Sequence, residues 1–232
     1  MLLAGFNFDM LIYLFGALII SLTIHEASHA LVAYWLGDPT PKNAGRLSLN
    51  PFAHLDPLGV LMILFVGLGW GKPVMISADK LKPGPKIGMA LVAIAGPISN
   101  LLLALVLSIQ LRFHWVRLYS DMRIPPEWSD LPALGYIGIG PFIQWIVWLC
   151  LALAVFNLIP INPLDGSRLW QIILPTKWYY KIARVEILGL FLVLGLILSD
   201  RFLGTNILSQ ILFPPISFLW RLFVGMTPPI QL

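Results

Sequence analysis

The sequence predicts an all-α polytopic membrane protein. Three observations carry that expectation. Of the 232 residues, 58% are hydrophobic and only 11% are charged, against about 25% charged in a typical soluble domain. The apolar residues gather into long runs, at 10–24, 87–111, 137–161 and 187–199 with its flanks, and a helix needs about 20 mostly apolar residues to cross a bilayer. The runs are continuous rather than alternating, which rejects a β-barrel and leaves helices as the spanning structure, because lipid offers no partner for exposed backbone groups.

Taken in order, the first segment runs from about Phe8 to Leu36 and stops at Gly37-Asp38-Pro39, a combination that ends helices. With no basic region before it and Asp9 inside it, this segment does not read as a cleaved signal peptide. A polar stretch, 38–56, follows; within it Arg46–Leu49 alternates like a short strand. Leu58–Trp70 is apolar but only thirteen residues long, with glycines at 59, 67 and 69, too short to span and therefore expected to be re-entrant or interfacial. The basic, proline-rich stretch 71–86 contains a second short strand candidate at 72–77. Segment two is Ile87–Phe113, interrupted at Gly96-Pro97. A polar loop, 112–134, leads to segment three, Gly138–Ile161. A turn at Pro163 and Gly166 precedes a short helix expected at 167–174. Segment four is Trp178–Leu198 and segment five about Asn206–Val224, kinked or broken at Pro214-Pro215. No repeat, soluble domain or low-complexity linker interrupts this plan, so residues 1–232 read as a single membrane-embedded domain.

The charge pattern sets an orientation. Lys42, Arg46, Lys72, Lys80, Lys82, Lys86, Arg168, Lys177, Lys181 and Arg184, 10 of the 15 basic residues, fall on the side where segment one ends. That side is expected to face the cytoplasm, across an inner or plasma membrane. The net charge of +4 is this topological bias, and no nucleic-acid partner is implied. The single cysteine, Cys150, excludes an intramolecular disulfide and a cysteine-based metal site, and reads as a small buried apolar residue.

Chemistry concentrates in His25-Glu26-Ala27-Ser28-His29, which fits H-E-x-x-H. On a helix, residues four apart share a face, so both imidazoles reach one metal ion. Glu26, about 100° around the helix, is near enough to act on a water beside that metal. Ionisable groups are costly in a membrane helix and mark functional sites; the alternative is a structural hydrogen-bonded cluster at a helix end. A catalytic zinc site takes three protein ligands and keeps a fourth position open. Candidates for the third are His54, Asp56, His114, Asp165 and Glu186. His114 lies at the far end of segment two, and Glu186 reads as a helix-end charge beside Arg184. Asp165 sits at the same end of segment three as His29, on a non-helical turn between Pro163 and Gly166, and is the expected third ligand; its alternative role is to cap the short helix that follows. His54 and Asp56 form an accessory site or simply a solvated turn opened by Asp56-Pro57.

At this point the sequence resembles the site-2 protease family of intramembrane zinc metalloproteases. His25–His29 matches the family's H-E-x-x-H. Asn157-Leu158-Ile159-Pro160-Ile161-Asn162-Pro163-Leu164-Asp165-Gly166 resembles its second signature, N-x-x-P-x-x-P-L-D-G. Ala95-Gly96-Pro97-Ile98-Ser99-Asn100 resembles an A-G-P-x-x-N stretch on the helix between them. The resemblance covers about residues 20–170. It implies a three-helix catalytic core, here about 8–174, with C-terminal helices at about 177–225. It implies one Zn2+ per chain held by His25, His29 and Asp165 inside the membrane, with Glu26 as general base. It also implies that Asn157 holds substrate or a polar network. Gly96, Pro97 and Asn100 fall on the matching helix, where Pro97 frees a carbonyl near the site and Gly96 permits close helix approach. The chain resembles the family's compact form, in which no PDZ or CBS domain is expected.

The reaction so implied is hydrolysis of a peptide bond in or near a transmembrane segment of a membrane-protein substrate, with the substrate unwound and added as a strand beside 46–49 or 72–77. Two other classes compete: a catalytically silent membrane scaffold and a membrane metal transporter. A scaffold typically loses a ligand or the base, and all four residues are present; a transporter gives no reason for Glu26. The expected partners are that substrate and the lipid bilayer, and no feature specifies an oligomeric state.

Overall fold

A computed structural model describes residues 8–59, 71–115, 139–175, 186–226 and 228. Among these the protein is helical and has no sheet. The helices are α1 (Phe8–Trp35), α2 (Thr40–Asn43), α3 (Pro85–Arg112), α4 (Ile139–Asn157), α5 (Asp165–Gln171), α6 (Glu186–Leu203) and α7 (Ile207–Val224). Four are long and apolar enough to cross a membrane: Leu11–Trp35 of α1, then α3, α4 and α7; Leu188–Asp200 of α6 is apolar but shorter. Large apolar side chains such as Leu102, Val106, Leu190, Phe191, Phe218 and Leu222 point outward, as they must if the surroundings are lipid. The chain is an integral membrane protein.

Helices α1, α3 and α4 pack against one another, and α7 lies on α3 and α4. Small residues let them approach closely: Ala17 of α1, Ala104 of α3 and Cys150 of α4 are all fully buried in one core. The Cys150 thiol donates to Ser21 Oγ (3.2 Å), the buried role its sequence context suggested. Trp148 and Trp220 meet edge to face at 5.9 Å between ring centroids and fix α7 against α4. Two serine hydroxyls inside α1 turn back on the helix, Ser21 to Ala17 O (2.8 Å) and Ser28 to Ile24 O (2.7 Å), and are satisfied there, whereas the buried Thr23 hydroxyl has no partner among the described residues. Asp200 closes the turn into α7 by accepting from the backbone N–H of Ile207 and Leu208, both at 2.7 Å.

Several expectations are corrected. The strands at 46–49 and 72–77 do not form; the one β-type pairing among the described residues is an isolated antiparallel bridge between Leu55 and Gly71. Local side-chain bonds take over instead. Ser48 Oγ accepts from Asn50 N–H, and Asn50 Oδ1 from Phe52 N–H, which turns the chain where a ladder would have to run. Residues 72–77 are extended but have no partner strand. Neither proline site breaks its helix: α3 continues through Gly96-Pro97 and α7 through Pro214-Pro215. In a membrane helix the group freed by proline is satisfied by neighbouring structure. The short helix after segment three starts at Asp165, two residues earlier than expected. The re-entrant segment expected at 58–70 lies almost wholly outside the described residues.

Two buried charged side chains tie down the loops at the end where α1 stops. Arg46, 5% exposed, donates to the carbonyls of Ala53, Lys72 (3.1 Å) and Pro73 (3.3 Å). Asp38, fully buried, accepts from Thr40 N–H (3.0 Å) and Ser77 N–H (2.7 Å). Together they grip both ends of the extended segment 72–77, which forms part of the wall of the cavity described next.

Candidate metal centre

His25 and His29 lie well inside α1, ten and six residues before its end at Trp35, so at 1.5 Å per residue they are roughly 15 and 9 Å in from the terminus. Asp165 arrives from the other direction. After α4 ends at Asn157 the chain makes an irregular loop, 158–164, and returns at the first residue of α5. Gly166 makes this return possible: a Cβ there would lie 2.2 Å from the Leu158 carbonyl oxygen. Asp165 is not used as a helix cap. Its Oδ2 instead lies 3.1 Å from His25 Nε2 and 3.3 Å from His29 Nε2. The capping alternative is therefore set aside.

These three side chains fit a metal ion. Their ligand atoms all lie within 4.8 Å of one another, and the two rings meet edge to face at 4.7 Å between centroids. Both imidazoles present Nε2 inward and turn Nδ1 outward to a partner on α3: His29 Nδ1–H donates to the Val92 carbonyl (2.7 Å), and His25 Nδ1 faces the Asn100 amide (3.2 Å). Metal-binding histidines are oriented in this way, through the other ring nitrogen. Gly96 lies directly against both rings. A Cβ at that position would sit 2.5 Å from His25 Cε1 and 2.7 Å from His29 Cε1, so a side chain there would occupy the place of the imidazoles. Two imidazoles and a carboxylate form a donor set suited to zinc.

A cavity of about 210 Å³ opens at this cluster. Glu26, Asn157 and Arg168 line it together with the three candidate ligands, and Pro73, Val74 and Ile76 form part of its wall. The Glu26 carboxylate is half-buried and has no hydrogen-bond partner among the described residues. Asn157 uses its Nδ2–H on the Leu153 carbonyl of its own helix (3.0 Å) and still borders the cavity. Pro97 is buried beside Gly96 in α3, and the carbonyl that His29 engages is that of Val92.

His54 and Asp56 are not brought to the site. His54 is fully buried, with Nε2 against the Ser48 carbonyl at 2.8 Å, and Asp56 caps the turn after it by accepting from Leu58 and Gly59 N–H. Both are loop-building residues. His114 follows the opposite end of α3, past Arg112. Sequence reasoning missed Val92 and Arg168. A backbone carbonyl carries no residue-type signal, whereas Arg168 falls one turn after Asp165 and was readable as a neighbour of the site.

The profile of peptidase family M50 matches residues 130–199. Over 218 residues, 94% of both chains, the sequence is 34% identical to the "Putative zinc metalloprotease YwhC" of Bacillus subtilis strain 168. The chain belongs to peptidase family M50, the site-2 protease family. Two further relatives match less of this chain. The "Putative zinc metalloprotease Rip2" of Mycolicibacterium smegmatis is 31% identical over 64% of this chain and 52% of its own length. The "Zinc metalloprotease MJ0392" of Methanocaldococcus jannaschii is 29% identical over 72% of this chain and 36% of its own. No solved structure matches. Family and relatives together support a metalloprotease function for this M50 chain.

Proposed function

We propose that the protein is an intramembrane zinc endopeptidase that cleaves a membrane-protein substrate within or near a transmembrane segment. The observation that carries this reading is the convergence of His25, His29 and Asp165 on one point, with an unengaged Glu26 carboxylate lining the same cavity. His25, His29 and Asp165 would hold one Zn2+ per chain. When bound there, zinc supplies Lewis-acid polarisation of the scissile carbonyl and makes water a better nucleophile. Glu26 takes a proton from the attacking water on a carboxylate oxygen and returns it to the departing amide nitrogen, so the products are a carboxyl group and an amine. Asn157, on the cavity wall, contributes a polar contact to the bound peptide.

The substrate must reach this point as extended chain, because a helix hides its peptide bonds in its own hydrogen bonds. Residues 74–76 offer a place for it. Among the described residues nothing hydrogen-bonds the backbone of Val74, Met75 or Ile76, although Arg46 and Asp38 hold the segment extended on either side. An unwound substrate adds there as a strand, its N–H and C=O groups pairing with this edge. The basic end of the molecule, where Lys42, Lys80, Lys82 and Lys86 lie, faces the cytoplasm of a cell bounded by an inner or plasma membrane.

The test is cleavage of a single-span membrane protein by the purified enzyme in detergent, for wild type, Glu26→Gln and Ile76→Pro. Cleavage confined to wild type, with Ile76→Pro strongly impaired, is expected. Undiminished cleavage by Glu26→Gln would refute the mechanism, and undiminished cleavage by Ile76→Pro would refute strand addition.

A further inference from the structure

Val92, Gly96 and Asn100 recur every four residues along α3, so they share one face, and all three meet the candidate metal ligands. Val92 takes the outer nitrogen of His29, Gly96 makes room for both rings, and Asn100 meets the outer nitrogen of His25. We propose that Asn100 is a positioning residue: its amide oxygen accepts the Nδ1–H of His25, and so fixes the tautomer and orientation that aim His25 Nε2 at the metal. This inference rests on the zinc reading above.

The two histidines constrain each other's chemistry. A carbonyl can only accept, so the Val92 contact places the His29 proton on Nδ1 and leaves the Nε2 lone pair facing inward. His25 needs the same tautomer to act as a ligand through Nε2. Were the Asn100 NH2 group to donate to Nδ1, the ring proton would sit on Nε2, where it blocks a metal. The amide oxygen and nitrogen of an asparagine exchange places by a half-turn about the side-chain bond. With the NH2 group toward His25, Asn100 Oδ1 is a fully buried acceptor with no partner. The half-turn gives that oxygen the His25 Nδ1–H and gives both histidines one tautomer. Asn100 is 0% exposed on a membrane-spanning helix; the half-turn exchanges which end of its amide lacks a partner, so the matched histidine tautomers are what favour it. A neutral acceptor on His25 and a backbone carbonyl on His29 then form matching outer supports from a single helix face.

The experiment uses the full chain in detergent micelles. It measures Zn2+ affinity by chelator competition and the ligand-field absorption of the Co2+-loaded protein, for wild type, Asn100→Leu, Asn100→Ala and Asn100→Asp. Leucine and alanine remove the acceptor with and without the bulk; aspartate keeps an acceptor but loses the NH2 group. Expected are zinc affinities about 10- to 100-fold weaker for both acceptor-free variants with an altered Co2+ spectrum, and near wild-type affinity and spectrum for Asn100→Asp. Wild-type affinity in a folded Asn100→Leu or Asn100→Ala protein overturns the inference. So does an Asn100→Asp protein as weak as those two, since the NH2 group would then be what matters. A wild-type protein that binds no zinc overturns the zinc reading and the inference with it, whereas zinc bound by wild type and acceptor-free variants alike overturns the inference alone.

Discussion

Gly96→Ala is the smallest change expected to disable the metal centre. The new methyl carbon would lie 2.5 Å from His25 Cε1 and 2.7 Å from His29 Cε1. Ordinary contact begins near 3.4 Å, so the rings must yield by about 0.9 Å at His25 and about 0.7 Å at His29. Metal–ligand distances are held to about ±0.2 Å, and a shift several times larger takes both imidazoles out of range together. The other escape, withdrawal of α3, breaks the 2.7 Å bond from His29 to Val92. By either route zinc affinity falls at least about 10-fold, the scale seen when the supports of a metal ligand are lost. Chelator competition on equal amounts of folded wild type and Gly96→Ala measures this directly. A Gly96→Ala protein that keeps one zinc at wild-type affinity would refute the reasoning, because it would show that the rings do not occupy this position when metal is bound.

Other outcomes follow from the same contacts. Glu26→Gln keeps zinc and loses cleavage by about 10²- to 10⁴-fold, the usual worth of a positioned acid–base group, which single-turnover assays of loaded enzyme would measure. Arg46→Ala frees the Lys72 and Pro73 carbonyls and loosens the segment proposed to hold substrate, so KM rises more than kcat falls; Arg46→Lys fails to restore it, because a lysine lacks the forked donors that reach several carbonyls. Asp38→Ala leaves two backbone N–H groups without their acceptor and destabilises the protein by about 1–3 kcal/mol in detergent unfolding. Burial alone would raise the Asp38 carboxyl, but hydrogen bonds from Thr40 and Ser77 outweigh it and hold the group below its ordinary 3.8. A carboxyl lowered by folding stabilises fully above its unfolded value and loses that contribution as pH falls through the folded one. The stability gap between wild type and Asp38→Asn is therefore constant above about pH 5 and shrinks below pH 3.8; a gap that widens on acidification would contradict this.

The spanning helices were legible because one physical signal, a long uninterrupted apolar run, suffices in lipid. H-E-x-x-H was legible because helical spacing alone brings His25 and His29 together. Asp165 was readable from its place at the same end of segment three as His29, directly after the irregular loop 158–164. The strands at 46–49 and 72–77 were misread because alternation in so short a stretch does not distinguish a ladder from a turn held by side chains; Ser48 and Asn50 bind their own loop, and 72–77 has the extended form without the partner. A break at Gly96-Pro97 or at Pro214-Pro215 was over-read, since the loss of one or two hydrogen bonds does not end a helix held on several sides. Asp38 and Arg46 gave no signal beyond polar loop residues, because their importance lies in carbonyls and N–H groups that every residue carries. Asn100 was visible in a motif, but its contact with His25 depends on how α1 and α3 are packed.

The central claim is that four side chains form one hydrolytic zinc centre. Metal content and cleavage of a single-span substrate, measured together on wild type, Glu26→Gln and Asp165→Ala, test it most directly. One zinc per chain in wild type and Glu26→Gln, weakened or lost in Asp165→Ala, with cleavage by wild type alone, is the predicted result. A folded wild-type protein without zinc, or cleavage that survives in Asp165→Ala, would contradict it.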